Sequence, residues 1–178
     1  MITEHRTADA SELETAVGDL LTYAELLNTP KLARLYIYVL RNGPVPIEDL
    51  KNDLGLPHST AYKYVGVLEE MGVLTRYEDS TPATIEVEPI RLRMATDYGV
   101  VVITPVLVDA VARQLDTEDI RVFLDRQGIP KLAAAVYWIL RVRNGDLTKR
   151  TAANKLDVHL VEGMTVLSAL EDVIEGPC

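Results

Sequence analysis

Between Pro57 and Leu68 the chain carries His58, Ser59, Thr60, Tyr62, Lys63 and Tyr64 and no carboxylate, although 27 of its 178 residues are Asp or Glu. Hydroxyls and a helix's first backbone N–H groups suit phosphate oxygens. A lysine suits phosphate or the O6 and N7 acceptors of guanine, and His and Tyr rings can donate to acceptors or pack on a thymine methyl. Other chemistries find no matching residues. His5, His58 and His159 are scattered and have no Cys or paired carboxylate at ligand spacing, so no metal site or cofactor is expected. The chain has no Gly-rich phosphate loop and no nucleophile motif, so no catalysis is expected.

The surrounding elements must present these groups on one face. Leu50 and Leu54 are four apart, as on one side of a helix. Gly55 stands where a tight turn needs positive φ, and Leu56 tucks into that turn. Ala61, Val65 and Leu68 then recur at i, i+4 and i+7, so a second helix turns them inward and leaves His58, Ser59, Tyr62 and Lys63 outward, with Tyr64 to the side. Small Ala61 lets the two helices cross closely, and Gly72 ends the second one. Val73–Tyr77 and Ala83–Val87 alternate in strand fashion around a polar tip, Glu78 to Pro82, which predicts a β-hairpin. Arg76 on that hairpin could reach a neighbouring minor groove or phosphate, though Glu78 and Asp79 stand beside it.

Upstream, Ala10–Leu27 has helical apolar spacing, and Thr29-Pro30 starts a further helix with Leu32, Leu35, Tyr36, Val39 and Leu40 as its buried stripe. Downstream, a second hairpin is expected from Arg91–Thr96 and Val100–Ile103 around Asp97-Tyr98-Gly99. A helix then runs from Thr104-Pro105 to about Leu115.

The order helix, Gly turn, helix with a small early residue, hairpin resembles the winged helix-turn-helix of MarR-, ArsR- and TrmB-like transcription regulators over about residues 28–90. Pro57 departs from that pattern, since such families often place a Ser or Thr cap there. The resemblance implies a non-catalytic, sequence-specific reader of double-stranded DNA. Its contacts would come from His58, Ser59, Thr60, Tyr62, Lys63, Tyr64 and Arg76, with the second helix, about 58–71, in the major groove.

The chain also repeats itself. PKLA occurs at Pro30–Ala33 and at Pro130–Ala133, and the apolar pattern that follows matches with two extra residues before the second Asn-Gly. Leu50, Leu54 and Leu56 fall opposite Ala152, Leu156 and Val158, and Val65 and Leu68 opposite Leu167 and Leu170. The second copy has no Lys or Arg after His159, offers Leu160, Val161, Glu162 and Met164 where the first has its polar groups, and lacks a wing. The expected fold class is therefore mainly α with small β: a winged helix-turn-helix over residues 1–90, then residues 91–178 as a hairpin linker and a degenerate helix-turn-helix-like domain. The apolar surplus of the second copy predicts that it dimerises or docks on the first domain, and a homodimer would suit two half-sites. Tyr137 and Trp138 are expected in its core.

Net charge is −9, with twelve Arg against six Lys and thirteen Asp among the acids. A Lys-poor, Asp-rich surface resembles proteins of salt-accumulating halophilic archaea, where a Debye length of about 3 Å makes global charge a poor guide to partners. The polar N-terminus and the lack of a long apolar run predict no signal peptide and no membrane span. A single cysteine, Cys178, fits a reducing cytoplasm. The competing reading is a tandem winged-helix interaction subunit, of a chromosome-partitioning or transcription complex, that reads no DNA. The acidic charge and the degenerate copy favour it. A small-molecule effector between the domains is left open, with no residue to identify it.

Overall fold

The computed structural model describes residues 10–97 and 99–175. The N-terminal segment with His5, the turn residue Tyr98 and Cys178 lie outside them. The chain begins with α1 (Ala10–Asn28) and α2 (Pro30–Asn42), then a short strand β1 (Val45–Pro46), α3 (Ile47–Asp53) and α4 (His58–Glu70). Two hairpins follow, β2 (Leu74–Tyr77) with β3 (Thr84–Val87) and β4 (Leu92–Thr96) with β5 (Gly99–Ile103). Four helices complete the fold: α5 (Pro105–Arg113), α6 (Glu118–Arg143), α7 (Lys149–Lys155) and α8 (Leu160–Glu175). The fold is mainly α with small antiparallel sheets, a winged helix followed by further helices.

The repeat is visible element by element. α6 is broken at Gly128 (φ 77°, ψ 174°), so its second segment starts at the second PKLA and stands to α7 and α8 as α2 stands to α3 and α4. Gly55 (φ 60°) closes the turn between α3 and α4, and its counterpart Asp157 takes the same left-handed conformation at φ 53°. Small Ala61 corresponds to Gly163; both are buried, and a Cβ on Gly163 would lie only 3.1 Å from the Cβ of Ala153. The inner faces match as well: Val65, Leu68, Leu167 and Leu170 are all fully buried.

The two copies meet on α5. Leu107, Val108, Asp109, Ala110, Val111 and Ala112 are buried in succession, which leaves this helix no solvent face. α2 covers one side and α6 and α8 the other. The buried apolar residues form one continuous cluster from Tyr23 to Ile174. Val166, Leu167, Leu170, Val173 and Ile174 of α8 are buried within the chain, whereas Val161 at its start is 65 % exposed. One expectation is corrected. Tyr137 is not core but exposed, on the outer side of α6, where its hydroxyl accepts from Arg141 at 3.2 Å. Trp138 beside it is half-buried against the core. The spacing is helical at both positions, but the inward arc of α6 is occupied by Leu132, Ala135, Val136 and Ile139.

Two buried tyrosines fasten the segment between the two hairpins. Tyr36 donates to the Glu88 carbonyl at 3.0 Å and accepts from the Ile90 N–H at 2.8 Å. Tyr23 of α1 donates to the carbonyls of Ile90 and Ile103. Burial pushes the Tyr36 hydroxyl up to about 12 and raises Tyr23 as well. Asp109 is the polar group inside the interface. Arg41 of α2 holds one carboxylate oxygen at 2.5 Å, and Arg113 lies 3.6 Å from the other. Burial pushes this carboxyl up from its usual range while the two guanidiniums pull it down.

Two outcomes follow from these contacts. Tyr36→Phe leaves the Ile90 N–H unpaired, so urea unfolding at neutral pH should show a loss of about 1–3 kcal/mol. A tyrosine that ionises later in the folded than in the unfolded state stabilises fully below pH 10 and loses that contribution as pH rises toward 12, so the wild type should weaken across this window and Tyr36→Phe should weaken less. Asp109→Asn leaves Arg41 and Arg113 without their carboxylate and should cost about 2–4 kcal/mol, whereas the paired change Arg41→Met with Asp109→Leu should recover most of it. Equal losses in the single and paired variants would refute that account.

Candidate nucleic-acid interface

The geometry of α4 starts at its inner face. Ala61, Val65 and Leu68 are fully buried, which fixes the rotation of the helix. His58, Ser59, Tyr62 and Lys63 are consequently exposed near its N-terminus, while Thr60 and Tyr64 are half-buried, Tyr64 against the core. Pro57 occupies the cap position in extended conformation, and no side chain caps the helix. The Thr60 and Ala61 N–H groups bond back to the Pro57 carbonyl at 3.0 Å. Proline in place of a Ser or Thr cap therefore leaves the N–H groups of His58 and Ser59 without a capping side chain, next to the exposed polar groups.

His58 and Tyr62, one turn apart, stack with ring centroids 4.3 Å apart and planes inclined by 25°. They form one flat aromatic surface rather than two independent contacts. Lys63 lies beside it and makes no ion pair among the described residues. Lys51, the other nearby cation, is taken up by Glu48 of α3, whose carboxyl it holds below the usual range. Lys63 is thus the cation that this face presents without a carboxylate attached.

The wing is the sheet β1-β3-β2, with Val45 opposite Ile85 and Arg76 opposite Ile85 on its other edge. Its tip is closed by Ser80, whose hydroxyl donates to the Tyr77 carbonyl at 2.9 Å and accepts from the Thr84 N–H at 3.1 Å. Arg76 is paired within the chain. Its guanidinium forms a fork with Glu69 of α4, Nε to Oε1 at 3.0 Å and Nη2 to Oε2 at 2.7 Å. Arg76 and Glu69 together tie the wing to α4. Sequence reasoning passed over Glu69, and its only signal was an acid seven residues before a hairpin arginine. The contact by which the Tyr38 hydroxyl donates to Asp53, linking α2 to α3, had no signal in local spacing.

Comparison with known families fits this geometry. Residues 29–93 match the model of the family described as the sugar-specific transcriptional regulator TrmB. This segment is a TrmB-like winged helix-turn-helix. The match begins at Thr29, before α2, and ends in β4, so it covers the helix-turn-helix and wing but not α1. Residues 114–177, which hold α6, α7 and α8, match a family of unknown function (DUF7437). No curated protein matches the chain, and no solved structure does. The TrmB model describes regulators of transcription, a function that needs no catalytic group. Among the described residues, no cluster of His, Cys, Asp or Glu could hold a metal ion, and no helix is long and apolar enough to cross a membrane. A cavity of about 500 Å³ lies between the two copies, walled by Leu40, Val106, Leu140 and Val173 with Arg41 and Arg91 at its edge.

The fork between wing and helix makes a measurable claim. A double-mutant cycle on Glu69→Ala and Arg76→Ala should give a coupling of about 0.5–1 kcal/mol in urea unfolding, the range for a partly exposed pair. Strict additivity would mean that the pair does not hold the wing.

Proposed function

We propose that this chain is a sequence-specific regulator that binds double-stranded DNA through the N-terminal half of α4, without catalysis. The observation that carries the reading is the exposed, carboxylate-free face of His58, Ser59, Tyr62 and Lys63 on a helix whose inner face is fully buried. In the major groove, Lys63 meets phosphate or guanine, and the His58–Tyr62 surface packs on thymine methyls and donates to acceptors. Ser59, Thr60 and the first N–H groups take a phosphate. Tyr64 and Arg76 act differently. Tyr64 supports α4 from the core side, and Arg76 sets the angle of the wing through Glu69. Residues 1–90 serve as the reader and residues 91–178 as the body that carries it.

The acidic surface suits a cytoplasm of molar salt, as in halophilic archaea. Affinity from counterion release fades at such salt. The aromatic surface then matters more than the lysine. An acidic wing tip at Glu78 and Asp79 favours the second reading, an interaction subunit that reads no DNA.

Selection from genomic DNA fragments in high KCl separates the two. The wild type should enrich particular fragments. Tyr62→Ala should lose about tenfold or more in affinity at molar KCl, by the 1–3 kcal/mol typical of one base contact. Lys63→Ala should bind more weakly mainly at low salt, with the salt slope reduced by about 1. Wild type that enriches nothing, or two variants that enrich as well as wild type, would overturn the proposal.

A further inference from the structure

The second copy lacks a polar reading face, yet it holds the chain's densest run of bases. Residues 131–155 contain Lys131, Arg141, Arg143, Lys149, Arg150 and Lys155 against one acid, Asp146, a local net charge of +5. The whole chain is −9, which leaves −14 for all the other residues together. The first copy is built the other way. Its α3 holds Glu48, Asp49 and Asp53 with Lys51 as its only base, whereas the counterpart α7 reads KRTAANK, three bases and no acid.

Pairing sorts these bases. Lys131 donates to the Leu156 carbonyl at 2.9 Å and Arg143 to the Ile174 carbonyl at 2.5 Å, so both fasten α6 within the second copy. Lys149 is tied to Glu171 at 2.7 Å and Arg141 to Asp146 at 2.5 Å. Arg150 and Lys155 make no ion pair among the described residues, and both are exposed. Ala152 and Ala153 are buried, which fixes the rotation of α7 and turns Arg150, Thr151, Asn154 and Lys155 to solvent together. The Lys155 ammonium lies 5.1 Å from the centroid of the Trp138 ring. That ring steadies the lysine on α6 without neutralising its charge.

The chemistry of this face says what it fits. The centre of a protein interface is apolar and depleted in charge. The exposed face of α7 has no apolar side chain and offers a guanidinium, an ammonium, a hydroxyl and an amide, all able to donate. Phosphate oxygens accept from such a set, and a guanidinium can meet two of them at once. In a helix-turn-helix the helix before the reader crosses the nucleic-acid backbone, and α7 holds that place in the second copy. The helix that follows it, α8, has no base with which to read. We infer that Arg150 and Lys155 of α7, with Thr151 and Asn154 between them, bind the phosphate backbone of duplex DNA and read no sequence. That the duplex is DNA rests on the reading proposed for α4; that α7 holds phosphates does not.

The test adds duplex DNA of random sequence to the full chain. At about 0.2 M KCl the wild type should bind it, and Arg150→Gln with Lys155→Gln should weaken binding about tenfold, with the salt slope smaller by about two. The difference should close toward molar KCl. Arg121→Gln with Arg126→Gln removes the same charge from exposed places on the first segment of α6 and should bind nearly as wild type does. All four side chains are exposed, so the circular dichroism of both variants should match wild type. Trp138, the chain's one tryptophan, stands beside Lys155, so its emission should change as the duplex binds. Wild type without affinity for the duplex, an Arg150/Lys155 variant that keeps affinity and slope, equal losses in both variants, or binding that leaves Trp138 emission unmoved would each overturn the inference. Wild type that binds the random duplex through α7 but selects no genomic fragment would sink the reading by α4 and leave this inference standing.

Discussion

Asp109 is a carboxylate in a helix with no solvent face. Its neighbours Leu107, Val108, Ala110, Val111 and Ala112 are buried with it, so α5 can exist only when α2 lies on one side and α6 and α8 on the other. Burying the large apolar residues contributes about 1.5–3 kcal/mol each. The buried charge is costly unless paired, and Arg41 on α2 pairs it. The same contact that closes the core therefore joins the winged helix to the second copy. α2 passes the constraint outward: Tyr38 reaches Asp53 of α3, and Tyr36 holds the backbone at Glu88 and Ile90.

The two copies show how one helical unit can diverge in surface while its interior stays put. Ala61 and Gly163, Val65 and Leu167, and Leu68 and Leu170 occupy matching inner places, and Gly55 and Asp157 make the same left-handed turn. The outer faces share little. α4 presents Ser59, Tyr62 and Lys63, whereas α8 begins with Leu160, Val161 and Glu162 and has no base. Packing limits what may change at a crossing, where a single Cβ on Gly163 already meets Ala153. Nothing comparable limits a solvent face, so the outer faces are free to differ between the copies.

Local pattern accounts well for the elements. Period-3.6 apolar spacing placed every helix of the first copy, alternation placed both hairpins, and the PKLA repeat anticipated the arrangement of α6 to α8. The face of α4 was legible for the same reason, because three inward residues at helical spacing determine the direction of all the others. Two positions were not legible. Tyr137 has the right spacing for a core residue but is 51 % exposed, beside the inward arc of Leu132, Ala135, Val136 and Ile139. The pairing of Arg76 with Glu69 was not legible either, because the two residues, seven apart, become adjacent only once the wing folds onto α4.

By itself, then, the sequence determined the helix-turn-helix, the wing, the internal repeat and the polar character of α4, since each depends on contacts within a few turns of chain. Tertiary structure alone decided which apolar stripes are core and which are left open. The stripe of α1 and the stripe of α2 look alike in one dimension, yet α2 is enclosed and α1 projects. The difference lies in whether another element arrives to cover the face, and spacing along a chain carries no information about that arrival.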